Sequence, residues 1–433
     1  MIPERPKVFF ASEDIGLCMS ALAEGFRALG CPTTTMVTHK EVNAPEIEYD
    51  IVRGNVIFAR MNYAKHPRLV AGVTRRVDAV LTAALNGVAT PSYLDHDVYV
   101  FFWKPWAPPP VLFPLLKRLG KKIVVYYLGS EARHVAAFSQ EFGVDPSKWG
   151  ASYHREPLDP RIESIRWAEL YADLVYSVPD QSSLQIRPYY HSFVPLRIDL
   201  EAHVPAREVP VVLHAPAWDF KQRGDIKGTS HVMQAVEELK REGLQFEFKF
   251  LTGLLRKDLL EILKSSDIVL DELILGGPGA LAAEAMRAGC AVATHIIEPP
   301  QPFFDPPVCP VSPSNVKERL RRLVTDMPYR LELASKGPAW ASRVFDPTWI
   351  ASRMLTHLRG EQLPDYVPRF YLEKFVPPTR LSARTRALGL RVAERYRPET
   401  AQHLHEAAKR GVIAAPRRSR LREADLVPHD DGA

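Results

Sequence analysis

The chain has 433 residues, 46% of them apolar and 25% charged, with a formal net charge of +5. That length exceeds one ordinary core, so two domains are expected, with a third only if small. The composition is globular and excludes a fibrous or wholly disordered chain. No stretch approaches the roughly 18 consecutive apolar residues of a membrane helix. The cysteines at 18, 31, 290 and 309 show no CxxC spacing, which speaks against a disulfide framework or zinc site.

Residues 7–11, KVFFA, read as a first strand that begins with no cationic leader before it, so a cytoplasmic protein with reduced thiols is expected. The segment 16–29 opens on Gly16 and places apolar residues at 17, 21, 22, 26 and 29, a helical spacing stopped by Gly30. Strands follow over 33–37, 97–103, 122–127 and 172–177, with helices after the proline run 108–110 and over 161–171. Alternation of this kind predicts a doubly wound Rossmann-like domain within residues 1–200. The polar, proline-bearing stretch 201–210 reads as a linker.

A second alternating series occupies 201–360, with strands at 211–214 and 246–251 and helices at 229–242 and 256–265. Its centre is 267–293, DIVLDELILGGPGALAAEAMRAGCAVA, which reads as strand, glycine loop, alanine-rich helix and strand. Open parallel sheets bind ligands at the carboxyl ends of their strands, where a loop offers backbone N–H groups and a helix its positive end. Glu284 is the one carboxylate in the first turns of that helix. Helices are expected over 315–325, 329–343 and 347–358. Two doubly wound domains joined by a linker imply an α/β, GT-B-like layout, the domains facing each other across a cleft.

Residues 361–433 form a basic helical extension and tail. From 369 onward there are 14 Lys and Arg against 8 Asp and Glu, net +6, leaving 42 against 43, net −1, for the rest. Leu381, Leu388, Val392 and Tyr396 share one helix face, with Arg380, Arg384, Arg391 and Arg395 one residue behind. Such a helix suits peripheral contact with an anionic inner membrane face or, as the preferred reading, packing back across the first domain with its arginines solvated. Residues 416–433 have a disordered composition.

The residues Lys227-Gly228-Thr229, Ser266 to Val269, and Gly277-Pro278-Gly279 followed by Glu284 to Gly289 and Ala291-Val292 resemble the group 1 (family 4-like) GT-B glycosyltransferases. Arg287 and Ala291 stand where that pattern has Ala and Pro. The resemblance is strong over about a third of the chain, and Gly129 to Arg133 match a shorter first-domain motif. It implies a hexosyltransferase-like enzyme that moves a sugar from a nucleotide-sugar donor to the hydroxyl of a glycan or lipid-linked acceptor. It implies retention of configuration, no metal, no further cofactor, and a place in polysaccharide biosynthesis.

Under that reading Glu284 would accept both hydroxyls of a ribose diol. Gly276, Gly277 and Gly279 would let the backbone approach a diphosphate, with the amides of Gly279 and Ala280 as donors. Lys227 would supply a point charge and Arg223 a guanidinium fork to stabilise the leaving group. On the first domain Glu131 and Arg133 would face the cleft, Arg133 toward an anionic acceptor. His134 would be a base, and Gly16 would allow close approach of a ligand. Each residue has a plain structural alternative: a paired helix carboxylate, a tight turn, solvated loop cations or a core histidine. The family acid eight positions before Glu284 is absent, since Gly276 stands there. A non-catalytic GT-B-like nucleotide or sugar binder therefore remains the alternative. A nucleic-acid partner is disfavoured by the −1 body and the lack of any such motif.

Overall fold

The computed structural model describes residues 2–40, 44, 46–52, 93–102, 104–129, 131–135, 139, 158–177, 184–217, 224–296, 305–360, 364 and 381–409, with side chains to 396. Two all-parallel sheets organise them. The first runs β3-β2-β1-β4-β5-β6-β7, built from β1 (Val8–Ser12), β2 (Thr33–Val37), β3 (Ile51–Val52), β4 (Val98–Phe102), β5 (Lys122–Tyr127), β6 (Leu174–Ser177) and β7 (Tyr190–His191). The second runs β12-β11-β10-β8-β9, from β8 (Val211–His214), β9 (Glu247–Phe250), β10 (Ile268–Leu270), β11 (Ala291–Thr294) and β12 (Cys309–Pro310).

The central strands β1, β4 and β10 are buried, largely apolar runs because helices cover both sheet faces. In β1 the pleat sends Val8 and Phe10 into one core and Phe9 and Ala11 into another. The helices are α1 (Cys18–Ala28), α2 (Pro109–Arg118), α3 (Leu158–Tyr171), α4 (Thr229–Arg241), α5 (Arg256–Leu263), α6 (Ala280–Arg287), α7 (Val316–Thr325), α8 (Met327–Val344), α9 (Pro347–Leu358) and α10 (Ala383–Lys409). The expected elements are present within a few residues. β3, β7 and β12 were not anticipated, because two residues carry no periodicity.

The chain crosses between the sheets twice. On the way out, the irregular segment 192–210 is pinned to the end of α8 by Leu196 N–H to Phe345 O at 3.0 Å and by the rings of Phe193, Trp340 and Phe345. On the way back, α9 packs on α1 so closely that a Cβ on Gly25 would lie 2.2 Å from the Pro347 carbonyl oxygen.

The apolar stripe of α10 is turned inward. Leu388, Val392 and Tyr396 are buried. Arg384 pairs with Glu163 of α3 at 2.9 Å, and Arg395 donates to the Leu170 carbonyl at 3.0 Å. Burying Leu388 and Val392 stabilises this docking by about 1.5–3 kcal/mol each. The apolar face thus packs on the first sheet's helices, as the packing reading expected, and is the same face that a membrane contact would have used. Residues 410–433, including the segment of disordered composition, lie outside the described residues.

Candidate functional site

In the second sheet the chain leaves β8 to form β9 on one side and returns to form β10 on the other. Between β8 and β10 the direction of winding reverses, and a crevice opens at their carboxyl ends. The loop after β8 ends in Lys227 and Gly228. Gly228 has φ +74°, and a Cβ there would lie 2.7 Å from Leu273 Cβ, so only glycine brings this loop against the one after β10. The two loops are then tied by Leu273 N–H to Lys227 O at 3.1 Å.

That tie sets Lys227 among acids. Its ammonium donates to Asp271 Oδ1 at 3.1 Å and to Glu272 Oε1. Burial acts to lower the Lys227 pKa, but Asp271 and Glu272 outweigh it and hold the group above its ordinary value. Burial likewise raises Glu272, with Lys227 opposing. Asp271 is buried, and its Oδ2 has no hydrogen-bond partner among the described residues.

The glycine loop is laced to the end of β11 by His295 N–H to Glu272 O at 2.6 Å and Gly277 N–H to His295 O at 2.8 Å. Gly277 leaves no room for a side chain, since a Cβ would meet Thr294 Oγ1 at 2.5 Å. Gly276 is buried, and Gly279 caps α6 in an extended conformation without any side-chain hydrogen bond to the helix. A Cβ on Gly279 would point at Glu272 Oε1 and Asp271 Oδ2, 3.4 and 3.5 Å away.

One turn on, Glu284 is buried and accepts from Arg256 Nε at 2.8 Å; its partner is not the neighbouring Arg287. Burial raises the Glu284 pKa, Arg256 pulls it back, and Asp271 adds to the rise. Arg256 opens α5, where a cation sits against the positive end of the helix dipole. That misfit was the one available sign in the sequence that Arg256 is held by something else.

The first sheet contributes the loops after β1 and β5. Gly16 and Leu17 are both left-handed, with φ +61° and +63°. For leucine this costs about 1–2 kcal/mol. The loop is held by Asp14, whose carboxylate accepts from Met19 N–H at 2.7 Å, Ser20 N–H at 3.2 Å and Tyr49 O–H at 2.8 Å. After β5, Glu131 is buried with Oε1 on the Leu128 amide, and its Oε2 finds no partner among the described residues. Burial raises its pKa. Arg133 is buried nearby and its charge reaches Glu272 of the second half.

His134 is pulled down to about 4, by burial first and the Arg161 charge second, so at neutral pH it is an unprotonated imidazole and a weak base. Arg223 lies outside the described residues. Lys227, Gly276, Gly277, Gly279, Ala280 and Glu284 gather at one crevice. From the other half, Cys18 of α1 lies within reach of the charges of Glu284, Arg256 and Glu131, and Gly16 lies beside it, with a Cβ there 4.0 Å from Cys18 Sγ. Burial raises the Cys18 thiol; the charges of Asp14, Glu284 and Glu131 add to that rise, and Arg256 opposes it. No group of metal-ligating side chains occurs among the described residues.

Comparison with solved structures places this architecture. Anabaena Alr3699/HepE, solved in complex with UDP-glucose, superposes with a TM-score of 0.51 at 15% identity, covering 82% of this chain and 100% of that one. Sucrose-phosphate synthase from Thermosynechococcus elongatus gives 0.53 at 13% identity, covering 82% and 99%. An alpha-glucosyltransferase solved with UDP-glucose and DNA containing an abasic site gives 0.50 at 11% identity, covering 82% and 99%. No protein-family model and no curated protein matches the chain. At such identities the likeness is one of fold alone: two Rossmann-like parallel sheets in a GT-B arrangement, followed in this chain by a C-terminal helical extension.

Proposed function

We propose that the protein is a glycosyltransferase that moves a sugar from a nucleotide-sugar donor to an acceptor hydroxyl, with the donor seated at the start of α6. The observation that carries the reading is the uncapped end of α6 at the β8–β10 reversal, with the buried carboxylate of Glu284 one turn behind it. A diphosphate suits the amides after Gly279, since the helix dipole and free N–H groups favour an anion there. A ribose diol suits the second oxygen of Glu284. HepE was solved with UDP-glucose and with UDP, which supports a donor of this class on this fold.

In this reading Lys227 and the α6 amides stabilise the departing nucleoside diphosphate without a metal. The unpartnered Asp271 Oδ2 takes a hydroxyl of the sugar, standing in for the acid missing at Gly276. Glu131 and Arg133 present the acceptor, a glycan or lipid-linked sugar, and the outcome is retention. A second reading, a GT-B protein that binds nucleotide or sugar without transfer, is favoured by one observation: the charge of Lys227 is already engaged by two carboxylates.

Thermal shift against UDP, GDP, ADP and their sugars, with and without EDTA, tests the donor site in the wild type and in Glu284→Gln. A base-specific rise that survives EDTA and is lost in the variant is expected. No rise with any nucleotide would sink the transferase reading. A rise without turnover on oligosaccharide acceptors, using the sugar that the panel selects, would favour the binding protein.

A further inference from the structure

Arg256 belongs to no motif and has no task in the donor reading above, yet its guanidinium is divided between two partners that matter. Nε donates to Glu284 Oε1 at 2.8 Å, and Nη2 donates to the carbonyl of Arg197 at 2.5 Å, in the segment that crosses between the sheets. The Arg197 side chain in turn reaches Glu24 of α1 at 3.3 Å. Glu284 is 5% exposed and Arg256 is 26% exposed. Glu284 Oε2 accepts no hydrogen bond from a described residue. One carboxylate oxygen is thus fixed and the other is left for a ligand.

We infer that Arg256 is the positioning residue of the nucleoside site: it orients and keeps ionised the carboxylate that receives the ribose diol, and ties it to the crossing segment, without touching the donor itself. This rests on the reading of Glu284 as the ribose ligand. The charged and titratable groups facing Glu284 are Arg256 from α5, Asp271 from the end of β10 and Cys18 from α1. Only Arg256 among these favours the ionised form. Without it a buried carboxylate beside Asp271 takes up its proton at higher pH. A neutral carboxyl cannot accept from both hydroxyls of a diol as a carboxylate does. An arginine at this place also accounts for a cation on the unfavourable end of α5.

The test is calorimetric titration with UDP, GDP and ADP and with their 2′,3′-dideoxy forms, from about pH 5 to about pH 9, on wild type, Arg256→Ala, Arg256→Lys and Glu284→Gln. Arg256→Ala is expected to weaken the ribonucleotide about tenfold or more at neutral pH. It is also expected to move upward the pH below which affinity falls, while binding a 2′,3′-dideoxy form, which offers Glu284 no hydroxyl, as wild type does. Arg256→Lys restores most of the affinity and the wild-type pH profile. Should Arg256→Ala lose its folded thermal transition, Arg256→Gln, which keeps a donor and drops the charge, carries the same comparison.

Equal losses for ribo- and dideoxynucleotides would make Arg256 a structural clamp and overturn the inference. So would an unshifted pH profile in Arg256→Ala while Glu284→Gln loses affinity. If Glu284→Gln binds like wild type, the ribose reading itself falls, and the role of Arg256 with it.

Discussion

Two helices begin at the carboxyl edge of a parallel sheet, and the chain treats them oppositely. At α1 the protein supplies its own anion: the Asp14 carboxylate sits on the amides of Met19 and Ser20 and is steadied by Tyr49. At α6 the N-cap is Gly279, which has no side chain to offer, and the first-turn amides stay open. A helix N-terminus attracts an anion whatever its source. The filled end therefore belongs to the scaffold, and the open end is where the donor reading seats its diphosphate. Under the proposed donor reading, two doubly wound halves of one fold thus divide the work, with nucleotide recognition on the second and loop architecture on the first.

The largest effect expected is at the cation beside the open end. Lys227 neutralises Asp271 and Glu272 in a buried setting, and removing one partner of such a group costs about 3–5 kcal/mol. Lys227→Met should lower the unfolding free energy measured by urea titration by an amount in that range and abolish nucleotide binding. Adding Asp271→Asn and Glu272→Gln should recover much of the stability and none of the binding. A Lys227→Met protein that unfolds like wild type would show that the two acids do not depend on it.

Why this pairing escaped sequence reading is a matter of separation along the chain. The strands 7–11, 97–103 and 122–127 were legible because a parallel sheet buried on both faces demands unbroken apolar runs. Gly277, Gly279 and Glu284 were legible because a loop and the helix after it form one local pattern. The groups that set the charge of the site are far apart in sequence: Lys227 and Asp271 by 44 residues, Arg256 and Glu284 by 28. Apart from the misplaced cation that opens α5, neither residue type nor spacing announces such partners. Asp14 lies five residues before Met19, yet its capping requires two left-handed residues, one of them Leu17, that no propensity would suggest. The basic stripe of α10 shows the limit from the other side, since an amphipathic pattern records that a face is covered and not by what.

Next in size is the filled end. Asp14→Ala removes the partner of two backbone amides and of Tyr49, and a cap of this kind is worth about 1–2 kcal/mol. The variant should lose that much unfolding free energy and melt at a lower temperature. Because the α1 amides then lack an anion, the gap to wild type should narrow in phosphate buffer relative to an uncharged buffer. A gap indifferent to phosphate would mean that the α1 end cannot accept an external anion. The contrast between the two helices would then rest on shape rather than on the presence of Asp14.

The smallest stability effect is expected at the open end, where the contrast can be reversed. Gly279 has φ −86° and ψ −168°, an extended N-cap conformation that serine adopts without strain. A Cβ there meets Glu272 Oε1 and Asp271 Oδ2 at 3.4 and 3.5 Å, ordinary contacts that leave the loop in place. In Gly279→Ser the hydroxyl would accept from the second or third amide of α6, doing for this helix what Asp14 does for α1. Stability should change by only a few tenths of a kcal/mol, the usual difference between glycine and serine at an N-cap. Nucleoside diphosphate affinity should fall about tenfold, because the anion must displace a hydrogen bond already made. A free nucleoside, which has a diol and no phosphate, should bind both proteins alike. If the nucleoside and its diphosphate weaken together, the side chain is blocking the crevice rather than competing for the helix end. If neither weakens, the diphosphate does not sit on α6.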